Sequence, residues 1–150
     1  MAELDLGNYL PYLINRVGFA LVESFTGDAL TPNGLSIAMW RVLAALSNNG
    51  EQRQVERQVD LVTMTSIDAS TMSRLVSRLV RIGLVTRSRS AKSNREVVVE
   101  LSPKGRALVQ RLIPIAKKLE QTASAGLPAK DLAVAKRALG KMYDNLISGR

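Results

Sequence analysis

Apolar residues return every three or four positions along most of the chain, the spacing that gathers them on one side of an α-helix. Leu10, Ile14, Val17 and Leu21 form the first such stripe and predict a helix over about residues 6–29. Thr31-Pro32-Asn33-Gly34 then breaks the pattern with turn-forming residues. Ser36 is a good cap for a second helix carrying Ile37, Trp40, Leu43, Ala44 and Leu46, which Asn48-Asn49-Gly50 should stop. The polar run Glu51 to Arg57 shows no period that assigns it. A short third helix is expected over Gln58 to Thr65, with Leu61, Val62 and Met64 facing inward, although its Val and Thr content would also suit a strand.

The fourth stripe is the cleanest. Asp68 stands as a cap before Met72, Leu75, Val76, Leu79 and Val80, and Gly83 supplies the left-handed residue that closes helices. Beyond it the pattern changes to β-branched runs, Leu84 to Arg87 and Val97 to Leu101, joined by the polar segment Ser88 to Asn94. This predicts a two-stranded hairpin with a long tip. Ser102-Pro103 opens a fifth helix with Leu108, Leu112, Ile115 and Leu119 on one side and Pro114 inside, where it should bend the helix. After Gly126-Leu127-Pro128, a last helix carries Leu132, Ala135, Leu139, Met142 and Leu146. Helix, helix, short helix, turn, helix, hairpin and two long helices is a mainly α architecture whose middle section is a winged helix-turn-helix: about six helices plus a β-hairpin wing.

Composition narrows the chemistry. At 150 residues, one domain with its own core is expected. The chain has neither cysteine nor histidine, which excludes disulfides, thiol switching, imidazole bases and the usual zinc sites. No paired-carboxylate, phosphate-loop or metal spacing is present, so no catalytic residue, metal or cofactor is assigned and an enzyme is not expected. The first ten residues lack a basic start and an apolar run, and no stretch approaches the roughly 20 apolar residues of a membrane span, so a cytoplasmic protein is expected.

Twenty-one Lys and Arg against thirteen Asp and Glu give +8, a surplus that points to a polyanionic partner if it is concentrated. It is concentrated. Between Asp68 and Glu96 there is no acid, while Arg74, Arg78, Arg81, Arg87, Arg89, Lys92 and Arg95 are all basic. Arg74, Arg78 and Arg81 lie opposite the apolar stripe of the fourth helix, with Ser70 and Ser77 on the same face and Thr71 and Ser73 near its start. Arginine can hold a phosphate or read guanine in bidentate fashion, and Ser and Thr near a helix start reach phosphates or base edges. A solvated basic face would explain the helix alone equally well. The acid-free hairpin beside it favours double-stranded DNA, with the tip residues Arg87, Arg89, Lys92 and Arg95 suited to a narrow minor groove.

Leu35-Ser36 to Leu46, Asp68 to Leu84, Arg95 and Leu101-Ser102-Pro103-Lys104-Gly105-Arg106 resemble the MarR family of transcription regulators. The run Asp68-x-Ser70-Thr71-Met72-Ser73-Arg74-Leu75-Val76-x-Arg78-Leu79, followed by Gly83-Leu84-Val85, is similar to the family's recognition-helix signature. The resemblance implies a single domain, 1–150, with a DNA-binding lobe at 35–101 and dimerisation helices at 1–30 and 103–150. It also implies a homodimeric repressor of a palindrome-like operator, released by a small-molecule effector such as an aromatic acid. Candidate pocket residues are Tyr9, Tyr12, Arg16, Met39, Trp40 and Arg41, with Met39 and Trp40 better suited to plain core packing than to a pocket. The family's wing has an Asp two residues before its Arg, where this chain has Ser93, which leaves Arg95 less firmly oriented.

Two other functions compete. A winged helix can dock an acidic protein partner instead of DNA, and steep salt dependence in proportion to phosphates neutralised separates the two. RNA is disfavoured because the basic face lacks the aromatic residues that stack unpaired bases.

Overall fold

The computed structural model describes residues 1–48, 55–93 and 95–149. The predicted stop at Asn49-Gly50, residues 51–54 of the unassigned run and Asn94 of the wing lie outside them. The chain divides into two compact units, Met1–Ala116 and Lys117–Arg150.

The first unit begins with a 3-10 turn, Leu6–Asn8, and then α1 (Leu10–Phe25). The expected single helix over 6–29 is therefore interrupted: Tyr9 is extended, and past Phe25 the chain continues as a wider π turn over Thr26–Leu30 and a 3-10 turn over Thr31–Asn33. Gly34 (φ 66) takes the left-handed conformation that ends this series. Ser36 caps α2 (Ile37–Ser47), its Oγ accepting from the Met39 N–H at 3.2 Å. Met39, Val42, Leu43 and Leu46 are buried on α2, and Trp40 leans on Phe25 with ring centroids 5.2 Å apart.

Strand β1 (Val55–Arg57) occupies the stretch that shows no period, and it converts the expected hairpin into a three-stranded sheet. It pairs antiparallel with β3 (Val97–Leu101), Val55 opposite Glu100 and Arg57 opposite Val98. On the other side of β3 runs β2 (Val85–Arg89), with Val85 opposite Leu101 and Arg89 opposite Val97. A three-residue edge strand carries too few positions for alternation to show, and its partner lies far along the chain.

Helices α3 (Gln58–Thr65) and α4 (Ala69–Arg81) are joined through Ser66, a non-glycine residue at φ 57. Leu61, Met72, Val76 and Leu79 are fully buried, as are Val42, Leu43 and Leu46 of α2 and Val99 of the sheet. Met64 and Val80, expected on the inner faces, are 43% and 41% exposed. Met64 borders an open depression beside α2, and Val80 sits at the edge of its stripe, in the last turn of α4.

The end of α4 is a Schellman motif. Gly83 (φ 78) donates to the Val80 carbonyl at 3.0 Å, and Leu84 donates to the Leu79 carbonyl at 3.0 Å. The start of α5 (Pro103–Ala123) is fastened to the same corner, where Ser102 Oγ donates to the Gly83 carbonyl at 2.6 Å and Lys104 Nζ to that of Ile82 at 3.0 Å. A Cβ at Gly105 would stand 2.0 Å from the Leu84 carbonyl oxygen, so only glycine allows this approach. Leu108, Val109 and Leu112 complete the buried side of α5, which runs through Pro114 as one helix.

The second unit holds the end of α5 and α6 (Ala129–Ser148), with Lys136 paired to Glu120. No described residue of α6 is buried. No helix among the described residues is long and apolar enough to cross a membrane.

Candidate nucleic-acid interface

Helix α4 is chemically two-sided because its arginines fall between the turns of its apolar stripe. Met72, Val76 and Leu79 are buried in the core while Arg74, Arg78 and Arg81 are exposed. Its first turn is ordered by one carboxylate. Asp68 accepts from the Thr71 N–H at 2.9 Å, from Thr71 Oγ1 at 2.7 Å and from Ser70 Oγ at 2.8 Å. These donors, the Thr71 backbone N–H first, hold its carboxyl at about 2, well below the ordinary range. Arg74 Nη2 donates to Thr71 Oγ1 at 3.3 Å, which extends the network along the exposed face.

The wing is attached to this helix. Arg87, placed by composition among the tip cations, lies within β2 and points at α4, where its Nη2 donates to the Ser73 carbonyl at 2.8 Å and to Ser77 Oγ at 3.1 Å. Ser73 and Ser77 thus meet Arg87 on one side of α4. Arg89 ends β2, and Lys92 and Arg95 stand exposed in the turn that follows. That turn is closed by backbone bonds, Ser90 N–H to the Glu96 carbonyl at 2.9 Å and Glu96 N–H to the Ser93 carbonyl at 3.2 Å. Ser93 Oγ accepts from the Arg95 N–H at 3.4 Å.

Three charged residues that no periodicity or motif marks in the sequence sit at the wing's base. Arg57 donates to both Asp60 oxygens, at 2.8 and 3.0 Å, and to Glu96 Oε1 at 2.9 Å. Hydrogen bonds to Asp60 and then Glu96 raise the Arg57 pKa further above its already high value, and Arg57 in turn lowers that of Asp60. The one signal in the sequence is that Glu96 is the first acid after the long basic stretch.

The expected effector residues fall into separate places. Tyr9 is exposed at the cap of α1, and the Arg16 guanidinium lies 5.8 Å from the ring centroid of half-buried Tyr12. Met39 is 1% exposed and belongs to the core. Trp40 and Arg41 line an open depression of about 470 Å³ whose other walls are Ala44, Ala45, Asn48, Met64 and Thr65.

Residues 35–97 match the MarR family. Over 141 residues the chain is 31% identical to the HTH-type transcriptional repressor NicR of Pseudomonas putida, covering 94% of this chain and 86% of NicR. The structure of Bordetella bronchiseptica BpsR, whose DNA binding is regulated by 6-hydroxynicotinic acid, superposes with a TM-score of 0.82 at 29% identity, covering 95% of this chain and 99% of BpsR. A mutant MarR of E. coli complexed with operator DNA superposes with a TM-score of 0.76 at 25% identity, covering 89% and 92% of the two chains. A similarity that spans nearly the whole chain, together with a winged helix whose recognition face is basic, leads to one assignment: the chain belongs to the MarR family of DNA-binding transcription regulators.

Proposed function

We propose that the chain is a homodimeric repressor that reads a palindrome-like operator with α4 and its wing and releases it on binding a small aromatic acid. The observation that carries the DNA contact is the two-sidedness of α4, with three exposed arginines backed by a buried stripe in a segment without acids. In this reading Arg74, Arg78 and Arg81 meet bases and phosphates in the major groove, assisted by Ser70, Thr71, Ser73 and Ser77. Arg89, Lys92 and Arg95 follow the minor groove, and Arg87 holds the wing to the helix.

Dimerisation is supported by exposed apolar residues in each unit. Leu10, Ile14, Val17 and Phe19 are exposed on α1, and Leu139, Tyr143, Leu146 and Ile147 on α6. A second copy that covers both would carry two recognition helices about one DNA turn (roughly 34–36 Å) apart. The effector reading draws support from BpsR and its 6-hydroxynicotinic acid. Arg16, with Tyr12 beside it, and Arg41, which shares a depression with Trp40, are the cations suited to an acid's carboxylate.

The test is binding of purified protein to a labelled fragment from upstream of its own gene, across a salt series with competitor DNA. Two protomers per site and binding that survives competitor are expected, with release by 6-hydroxynicotinic acid or a related aromatic acid. Absence of DNA binding even at low salt would favour a module that docks an acidic protein. Effector response unchanged in an Arg16→Ala/Arg41→Ala variant would remove those two residues from the pocket.

A further inference from the structure

From the geometry at the wing's base we infer that Arg57 is a positioning residue for the wing, fixing Glu96 and with it the direction of Arg95 relative to the recognition helix. The inference rests on the DNA-binding reading above. Beyond the last ladder pair, Arg89 opposite Val97, the sheet no longer determines where the tip lies. Glu96 is the residue at which the tip is tied back. Its carbonyl and N–H close the turn with Ser90 and Ser93, and its side chain is held by Arg57 Nη1 at 2.9 Å. Arg57 cannot follow a swinging tip, because its Nε and Nη2 grip both oxygens of Asp60 in the first turn of α3. One guanidinium fork therefore joins the first helix of the helix-turn-helix to the residue next to Arg95.

The surroundings show why a charged tie is needed there. A cavity of about 260 Å³ lies between the wing base and the starts of the two helices, bordered by Gln58, Val62, Ala69, Arg95 and Val97 as well as Arg57 and Glu96. Among the described residues, side chains do not fill the space beside Arg95, so the tip, beyond the buried Val85, Val99 and Leu101, rests on strand pairing and on polar ties. Arg87 supplies the tie from β2 to α4, and Arg57 the tie from α3 to the tip. With both carboxylates bound, the charge of Arg57 is neutralised locally and is poorly suited to a phosphate; its effect on DNA passes through Arg95. Exposed ion pairs of this kind contribute little to global stability, so the tie can be cut without unfolding the protein.

The experiment is a mutant cycle on the tightest duplex that wild-type protein selects from randomised DNA. Arg57→Gln combined with Glu96→Gln removes the tie and leaves the net charge unchanged. In the wild-type background this pair is expected to weaken binding about fivefold, and in an Arg95→Ala background to have no further effect, which is the non-additivity of coupled residues. Thermal midpoints should stay together across the series. An equal loss with and without Arg95, or no loss in either background, would overturn the inference. If Arg74→Ala weakens binding and Arg95→Ala does not, the wing has no role to position and the inference falls while the recognition-helix reading stands. If selection recovers no site, the DNA-binding reading falls and takes the inference with it.

Discussion

Helices α4 and α6 are both amphipathic, yet they meet opposite fates in the single chain. On α4, Met72, Val76 and Leu79 have no exposed surface, whereas on α6 Leu139 and Leu146 are 49% and 71% exposed and no described residue is buried. The same periodic signal thus has two physical meanings. In α4 it is satisfied by the chain's own core, which leaves the opposite, arginine-bearing face exposed. In α6 it is left open, with Leu139, Tyr143, Leu146 and Ile147 all exposed.

The largest effect should come from making the open face polar. Leu139→Asp with Leu146→Asp is expected to give a folded monomer by light scattering, since the core of the first unit contains neither residue. Operator affinity should then fall by a factor on the order of 10²–10⁴, because the two half-sites are no longer engaged together. A variant that stays dimeric would place the partner surface elsewhere than on α6.

Leucine truncation should separate the two helices by concentration dependence. Leu79→Ala removes a fully buried side chain and should cost about 2–5 kcal/mol at any protein concentration. Leu139→Ala should lower the thermal midpoint only through weaker association, so its effect should change with protein concentration while that of Leu79→Ala does not. Identical concentration dependence for the two would mean that α6 is not an interface. On the free face of α4, Arg74→Ala is expected to weaken operator binding by about 1–3 kcal/mol with no shift in thermal midpoint. A fall in midpoint without a change in binding would move Arg74 from the interface to the fold.

What the sequence made legible follows the same divide between local and distant causes. The Ser36 and Asp68 caps, the Gly83 terminus and the buried stripe of α4 were readable because each depends on residues within one or two helical turns. β1 was not, since Val55 to Arg57 becomes a strand only by pairing with β3. The π turn at Thr26–Leu30 also escaped, because the apolar spacing runs on through it. For the candidate site, periodicity and charge located α4 and the wing, but not the direction of each arginine. Arg87 reads as a tip cation and is an attachment to α4, and Arg57 lies in a run without pattern yet joins α3 to the wing. Whether an apolar stripe is covered by the chain's own core is likewise invisible to spacing, as exposed Val17 and Leu139 show beside buried Val76.

The smallest effect concerns how the two helices begin. α6 starts at Pro128 with no side-chain cap, while α4 starts under a carboxylate that takes three hydrogen bonds. Asp68 is held at about 2 against an ordinary value of 3.8, so its charged form favours the folded state. A depressed acid contributes fully above its unfolded pKa and loses that contribution as pH falls through its folded one. Asp68→Ala should therefore lower the thermal midpoint by a constant amount from neutral pH down to about 5. The gap to wild type should close as pH drops from about 4 to 2, where the wild-type carboxylate is itself protonated. A gap that widens on acidification would mean that the cap acts through something other than the charge of Asp68. At neutral pH the same variant frees the Ser70 and Thr71 hydroxyls, so operator binding should weaken modestly with it; unchanged binding would confine Asp68 to the fold of α4.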